Sequence, residues 1–144
     1  MILDGEAATR AAGARLAALL RPGDVVAMSG DLGAGKTTLV RGLLQALGHD
    51  GDVPSPTFAI VQPYDELEPP VWHADLYRVE DPAELAELGL DSLGDSVLLV
   101  EWPDRAGEAA WPEALRLTLE ITGPERRRLT AEVPAAWEGR WPPR

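Results

Sequence analysis

Gly30-Asp31-Leu32-Gly33-Ala34-Gly35-Lys36-Thr37 reads G-x-x-x-x-G-K-[S/T]. The apolar run Val25 to Ser29 before it predicts a buried strand. The segment after it, Thr37 to Leu47, has helical spacing, with Leu39, Leu43 and Leu47 on one stripe and Gly48 as a stop. A glycine-rich loop between strand and helix is the context that phosphate binding needs. Glycines let backbone amides converge on an anion, and the starting helix adds its positive dipole end. Lys36 is then expected to neutralise β- and γ-phosphates, and the Thr37 hydroxyl to bind Mg²⁺. Asp31, Leu32, Gly33, Ala34, Gly35, Lys36, Thr37 and Thr38 form the expected nucleotide cradle. The plain alternative is a glycine-rich turn ahead of a helix, which the flanking strand and helix disfavour.

Composition narrows the field. The chain has 144 residues, no cysteine and a net charge of −11. One domain is expected, without disulfides, zinc fingers or a cysteine nucleophile. A free-standing nucleic-acid binder shows a basic footprint, and this chain does not. The basic run Arg126-Arg127-Arg128 falls where a hairpin turn is expected and reads as a solvated tip. Asp4, Glu6, Arg10 and Arg15 near the start argue against a signal peptide or membrane span, so a cytoplasmic protein is expected. Lys36 is the only lysine and asparagine is absent. An Asn-Lys-x-Asp guanine-recognition loop is thus impossible, and adenine is favoured by elimination.

Ala7 to Leu20 predicts a helix ended by Arg21-Pro22-Gly23-Asp24. Asp50 to Pro56 reads as a loop. Thr57 to Val61 and Val71 to Tyr77 read as strands, joined through the acidic, proline-rich Asp65 to Pro70 into an antiparallel ribbon. Asp81-Pro82-Ala83-Glu84 is a helix start, and that helix is expected to reach Leu90. Val97 to Val100 predicts a central strand, followed by a short helical piece up to Trp111-Pro112. Leu115 to Ile121 and Leu129 to Val133 flank Gly123-Pro124-Glu125 as a hairpin. Residues 134–144 read as an irregular tail pinned by Trp137 or Trp141, outside a single domain over 1–133. The order predicts an α/β, P-loop NTPase-like three-layer domain with a mixed, mostly parallel central sheet and a C-terminal antiparallel hairpin.

Glu101 closes the run Val97 to Val100, where P-loop proteins carry an acid that holds Mg²⁺. Asp is usual there, so Glu is a departure; a surface acid at a strand end is the alternative. His73, Asp75 and Tyr77 alternate along one expected strand and share a face. Polar groups on one face either meet solvent or line a site. Asp75 is a candidate for orienting water or the metal shell, and His73 reads equally as a satisfied core histidine. Ser55-Pro56-Thr57 occupies the place of a γ-phosphate switch, or of an ordinary proline-bounded loop.

Four blocks together resemble the TsaE (YjeE) family: Gly30 to Thr38, Pro54-Ser55-Pro56-Thr57-Phe58, His73-Ala74-Asp75-Leu76-Tyr77-Arg78 and Glu101-Trp102-Pro103. Pro22-Gly23-Asp24 and Glu87-Leu88-Gly89 also match, so the resemblance runs over roughly residues 5–133. It implies a small ATPase needed for threonylcarbamoyladenosine (t6A37) in tRNAs that read codons starting with A. It implies a TsaD–TsaB pair as partner, with ATP hydrolysis resetting that pair and tRNA held only through it. By the same resemblance Thr37 and Glu101 hold Mg²⁺, Lys36 binds phosphates, and Asp75 and Trp102 belong to the active site. Ser55 to Thr57 corresponds to a switch-like loop, with Thr57 and Trp102 in the nucleotide-binding set. Glu101 as the metal acid is then expected. Slow hydrolysis alone and faster hydrolysis with the partner follow, with Arg78 or a partner residue as candidate arginine finger. A small-molecule kinase and a non-catalytic nucleotide-gated scaffold are the rival readings.

Overall fold

The computed structural model describes residues 1–31, 33–51, 53, 61–90, 93–107 and 110–141. Residues 57–60 of the strand expected over Thr57 to Val61, and the Ser55–Thr57 loop, lie outside them; the described strand there covers Val61–Tyr64, past the expected end.

The chain opens with β1 (Ile2–Asp4) and α1 (Gly5–Ala17). Then come β2 (Val25–Ser29), α2 (Lys36–Ala46), β3 (Val61–Tyr64) and β4 (Val71–Asp75). A single turn, α3 (Glu84–Glu87), precedes β5 (Val97–Glu101), β6 (Leu115–Ile121) and β7 (Arg126–Glu132). Among the described residues these strands form one sheet of order β1-β7-β6-β2-β5-β4-β3.

The four central strands run parallel: β6 with β2, β2 with β5, β5 with β4. The flanks are antiparallel: β1 with β7, β7 with β6, β4 with β3. The sheet is therefore evenly mixed rather than mostly parallel. All five residues of β5 are buried, as a strand covered on both faces requires. Val26, Met28, Leu99, Leu115 and Leu117 meet α1 and α2 on one face. Ala27, Leu98, Val100 and Ala74 fill the other, under Leu85, Leu88, Leu90 and Trp111. That third layer is mostly irregular chain.

The α1–α2 contact depends on two glycines. A Cβ on Gly13 would overlap the Leu39 carbonyl, and one on Gly42 the Arg10 carbonyl. This close approach seats α2, and with it the loop that α2 terminates. The C-terminal segment returns to the same core through Trp137, which is fully buried.

Four further expectations need correction. The strand β1 has no counterpart in the sequence reading; it exists through pairing with β7, Leu3 opposite Arg127. The strand expected to reach Tyr77 stops at Asp75, because the Asp75 carboxylate accepts the Tyr77 N–H at 2.9 Å and turns the chain. The helix expected to reach Leu90 is only one turn. Asp81 Oδ1 does accept the Ala83 N–H, but Gly89 takes φ 79° and ends the run. Finally, Arg126-Arg127-Arg128 is not a hairpin tip but the start of β7, with Arg127 half-buried.

No helix among the described residues is long and apolar enough to cross a membrane.

Candidate active site

Strand register gathers the chemistry. Parallel β4 and β5 place Asp75 beside Glu101, and β2 places Met28 beside Glu101 on its other side. The chain thus leaves β2 into the glycine-rich loop at the same edge. Carboxyl ends of parallel strands are where open α/β sheets bind ligands. His73 and Asp75 alternate with Val71, and Glu101 with Val97 and Leu99. Those apolar neighbours belong to the core under α1 and α2, so all three polar residues face the side that α2 covers.

In the loop, Gly30, Gly33 and Gly35 have φ of 145°, 81° and 106°. Gly35 is the left-handed cap of α2, a position that an L side chain would strain. Ala34 N–H donates to Asp31 O at 3.0 Å, closing a turn. Leu32 lies outside the described residues.

Lys36 is 5% exposed. Its ammonium donates to Gly30 O at 2.5 Å and sits 3.9 Å from the centre of the Trp102 ring. Burial holds its pKa below the usual lysine value, while Glu101, Asp75 and Asp31 pull it back up. A lysine held by one carbonyl and an aromatic face has donors to offer an anion.

Glu101 is 3% exposed and His73 fully buried. His73 Nε2 donates to Glu101 Oε2 at 2.6 Å. His73 Nδ1 has no partner among the described residues. The histidine thus fixes one carboxylate oxygen and leaves the other to a different partner. Asp75 is held above the usual carboxylate pKa, first by burial and further by Glu101, against the Tyr77 N–H, His73 and Lys36. Two neighbouring acids, one of them disfavoured as an anion, form an environment that a cation would relieve.

Mg²⁺ is commonly bound through one or two carboxylates plus substrate phosphates. Glu101 and the Thr37 hydroxyl, in the first turn of α2, suit that mode. Among the described residues no cluster of three or more His, Cys, Asp or Glu forms an all-protein metal cage. The donor set fits Mg²⁺ shared with a phosphate.

Trp102 adopts φ 58° and ψ 52°, left-handed for a non-glycine residue. Such a conformation costs of order 1–3 kcal/mol and collects at functional sites. It lays the ring against Lys36, while the Tyr77 ring packs on it at a tilt of 51°, 4.9 Å between centroids. Tyr77 and Arg78 are exposed. Beside the loop, a cleft of about 320 Å³ is lined by Thr9, Gly33, Gly35, Thr38, Glu125 and Arg127 among others.

The structure therefore brings together Lys36, Asp75, Glu101 and Trp102, with Gly33, Gly35 and Thr38 in the adjoining cleft. Thr57 lies outside the described residues. Arg127 was missed. Its guanidinium reaches Ala34 O at 3.1 Å and Gly33 O at 3.3 Å. Arg127, Leu129 and Ala131 alternate along β7 and all turn inward, an alternation that takes in Arg127 only because pairing extends β7 back to Arg126.

The family described as "Threonylcarbamoyl adenosine biosynthesis protein TsaE" matches residues 3–129. The chain is similar to the "tRNA threonylcarbamoyladenosine biosynthesis protein TsaE" of Streptomyces coelicolor, at 49% identity over 142 residues, covering 86% of this chain and 96% of the relative. It is also similar to the protein of that name from Bacillus subtilis, at 41% identity over 124 residues, covering 85% of this chain and 77% of the relative. Among solved structures it resembles that of Bacillus subtilis YdiB, with a TM-score of 0.75 and 32% identity, covering 91% of this chain and 82% of the other. With the family matched over nearly the whole chain and the fold shared with a solved relative, this chain belongs to the threonylcarbamoyl adenosine biosynthesis protein TsaE family.

Proposed function

We propose that the chain is an ATP hydrolase that uses Mg²⁺ and serves threonylcarbamoyladenosine (t6A37) modification of tRNA beside a TsaD–TsaB-like pair. The observation that carries this reading is the convergence of the glycine-rich loop, Lys36, Asp75 and Glu101 at one sheet edge. A chain at −11 is poorly suited to hold tRNA by itself, so tRNA is reached through the pair. The same reading puts the protein in the cytoplasm.

The loop amides and the N-terminus of α2 bind the phosphates. Lys36 leaves Gly30 O and Trp102 for the β- and γ-phosphates. Thr37 and Glu101 would hold Mg²⁺, whose chemistry there is to neutralise charge on the phosphate oxygens. Glu101 suits this task because His73 already fixes one of its oxygens. Asp75 accepts a hydrogen bond from the attacking water and aims it at the γ-phosphorus. The water oxygen bonds to phosphorus as the bond to the departing ADP oxygen breaks, and the water proton is released. Phosphoryl transfer depends on positioning and charge stabilisation more than on covalent chemistry. Slow turnover by the isolated chain and stimulation by the pair follow, because none of these residues supplies an arginine to the transferring group.

Steady-state ATP hydrolysis tests the proposal. Phosphate release should be slow for the isolated chain, rise with the pair and stop in EDTA. Equal rates with and without the pair would refute the partnership, and EDTA-insensitive hydrolysis would refute the metal.

A further inference from the structure

The geometry points to Arg127 as a positioning residue that holds the glycine-rich loop in its anion-binding shape. This rests on the reading that residues 30–37 bind phosphate.

The loop contains Gly33-Ala34-Gly35, with both glycines left-handed. Such a segment is conformationally free, and ordering it on binding lowers affinity. Carbonyls in an irregular loop also need donors from elsewhere. Arg127 supplies them from a point 93 residues further along the chain. Its Nε donates to Ala34 O at 3.1 Å and its Nη2 to Gly33 O at 3.3 Å. Its Nη1 is held from behind by Gly123 O at 3.2 Å and Arg126 O at 3.0 Å. One edge of the guanidinium therefore grips the loop while the remaining nitrogen is fixed to the hairpin. Only a planar fork does this, and a lysine would not.

The hairpin is itself anchored. Arg127 lies opposite Leu3 in the β1–β7 ladder, and Gly5 N–H donates to Glu125 O at 2.8 Å. The grip is therefore on fixed structure.

The consequence for binding follows from the peptide plane. A trans peptide holds its C=O and N–H on opposite sides. With the Ala34 carbonyl turned to Arg127, the Gly35 N–H must point away from it. That N–H has no acceptor among the described residues. It is thus fixed in place before a ligand arrives. Among the described residues Arg127 forms no ion pair, and its guanidinium nitrogens are taken up by carbonyls.

The test uses inorganic triphosphate, which has neither base nor ribose, beside ATP. Arg127→Met keeps the aliphatic stem and removes the donors. It should weaken both ligands by about tenfold, equivalent to about 1.4 kcal/mol. The rate at saturating ATP should stay near wild type. Arg127→Lys should recover part of the loss, and Arg126→Ala, which removes only an exposed pair with Asp4, should bind as wild type. Thermal unfolding without ligand checks that each variant is folded; if Arg127→Met is not, Arg127→Lys carries the comparison through a smaller but parallel loss for both ligands. Unchanged triphosphate affinity in the folded variant overturns the inference, as does a loss confined to ATP, which would make Arg127 a nucleoside contact. If the wild type binds no triphosphate while Arg127→Met is folded, the phosphate-site reading itself fails and the inference with it.

Discussion

At the flank where the chain returns after β7, Arg140 donates to both Asp24 oxygens at 2.7 and 3.1 Å, to Leu19 O at 2.9 Å and to Ala136 O at 2.8 Å. It stacks 4.0 Å from the centre of the Trp137 ring, and that tryptophan is fully buried. At the carboxyl edge of β2, β4 and β5, Lys36 has one carbonyl and one ring, Asp75 is disfavoured as an anion, and His73 Nδ1 has no partner among the described residues. Trp102 there is left-handed as well. Both regions bury charge. The flank pairs its opposite charges directly, leaving only Arg140 Nε unpartnered among the described residues, whereas at the edge Lys36 has no carboxylate, and Asp75 no cation, within salt-bridge distance among them. On the proposed function, stability resides in the first region and chemistry in the second, since strain and perturbed ionisation collect at functional sites.

The comparison breaks most visibly under truncation of the flank. Trp137→Ala should cost about 3–5 kcal/mol of unfolding free energy. Urea denaturation measures this, and hydrolysis per folded molecule should be retained. A variant that stays as stable as wild type would put Trp137 outside the core.

Lys36→Ala should do the opposite. Removing charge-assisted contacts to phosphates lowers hydrolysis by about 100-fold, in line with roughly 1.5–3 kcal/mol for such a hydrogen bond. Unfolding free energy should stay within about 1 kcal/mol of wild type or rise, because a buried charge is removed with the side chain. Marked destabilisation would show that the lysine is structural.

His73→Ala should raise the Mg²⁺ requirement and lower hydrolysis by about tenfold or more, the usual effect of losing the partner of a metal ligand. His73→Gln keeps a donor and should fall between. An unchanged Mg²⁺ titration in both variants would return His73 to the core as a packing residue.

Asp75→Asn gives the smallest effect, read as pH dependence of stability without nucleotide. The fold raises this carboxyl above its ordinary value of 3.8, so the native state binds the proton more tightly than the unfolded chain does. Its stabilising contribution is present in acid and is lost as pH rises through the ordinary value and then the raised one. The variant lacks this titration, so its stability relative to wild type should grow from acid toward neutral pH. A difference that is flat or shrinks over that range would contradict the burial argument.

Most of the site-bearing frame was legible because its signals are local. Val25 to Ser29 and Val97 to Val100 are short apolar runs that read as buried strands, and Glu101 follows the second directly. The hairpin at Gly123 could be read from turn chemistry and the antiparallel β3–β4 ribbon from its proline-rich connection, although β3 covers Val61–Tyr64 where the strand was expected to end at Val61. The misses depended on distant pairing. β1 is three residues long, too short for any periodicity, and β7 defines it. Arg127 sat in a charge run whose neighbours Arg126 and Arg128 do face out. The pairing of His73 with Glu101 joins residues 28 apart in the chain, and only strand register reveals it. Local helix signals at Asp81 were real, yet tertiary context allowed one turn.

The most direct test of the central claim is multi-turnover formation of threonylcarbamoyladenosine on tRNA. The assay would contain a TsaD–TsaB pair and pre-made threonylcarbamoyl-adenylate, with this protein or its Lys36→Ala variant, with and without ATP. The account predicts product beyond one equivalent of the pair only with the intact protein and ATP. Product indifferent to this protein, or equal with Lys36→Ala, would contradict it.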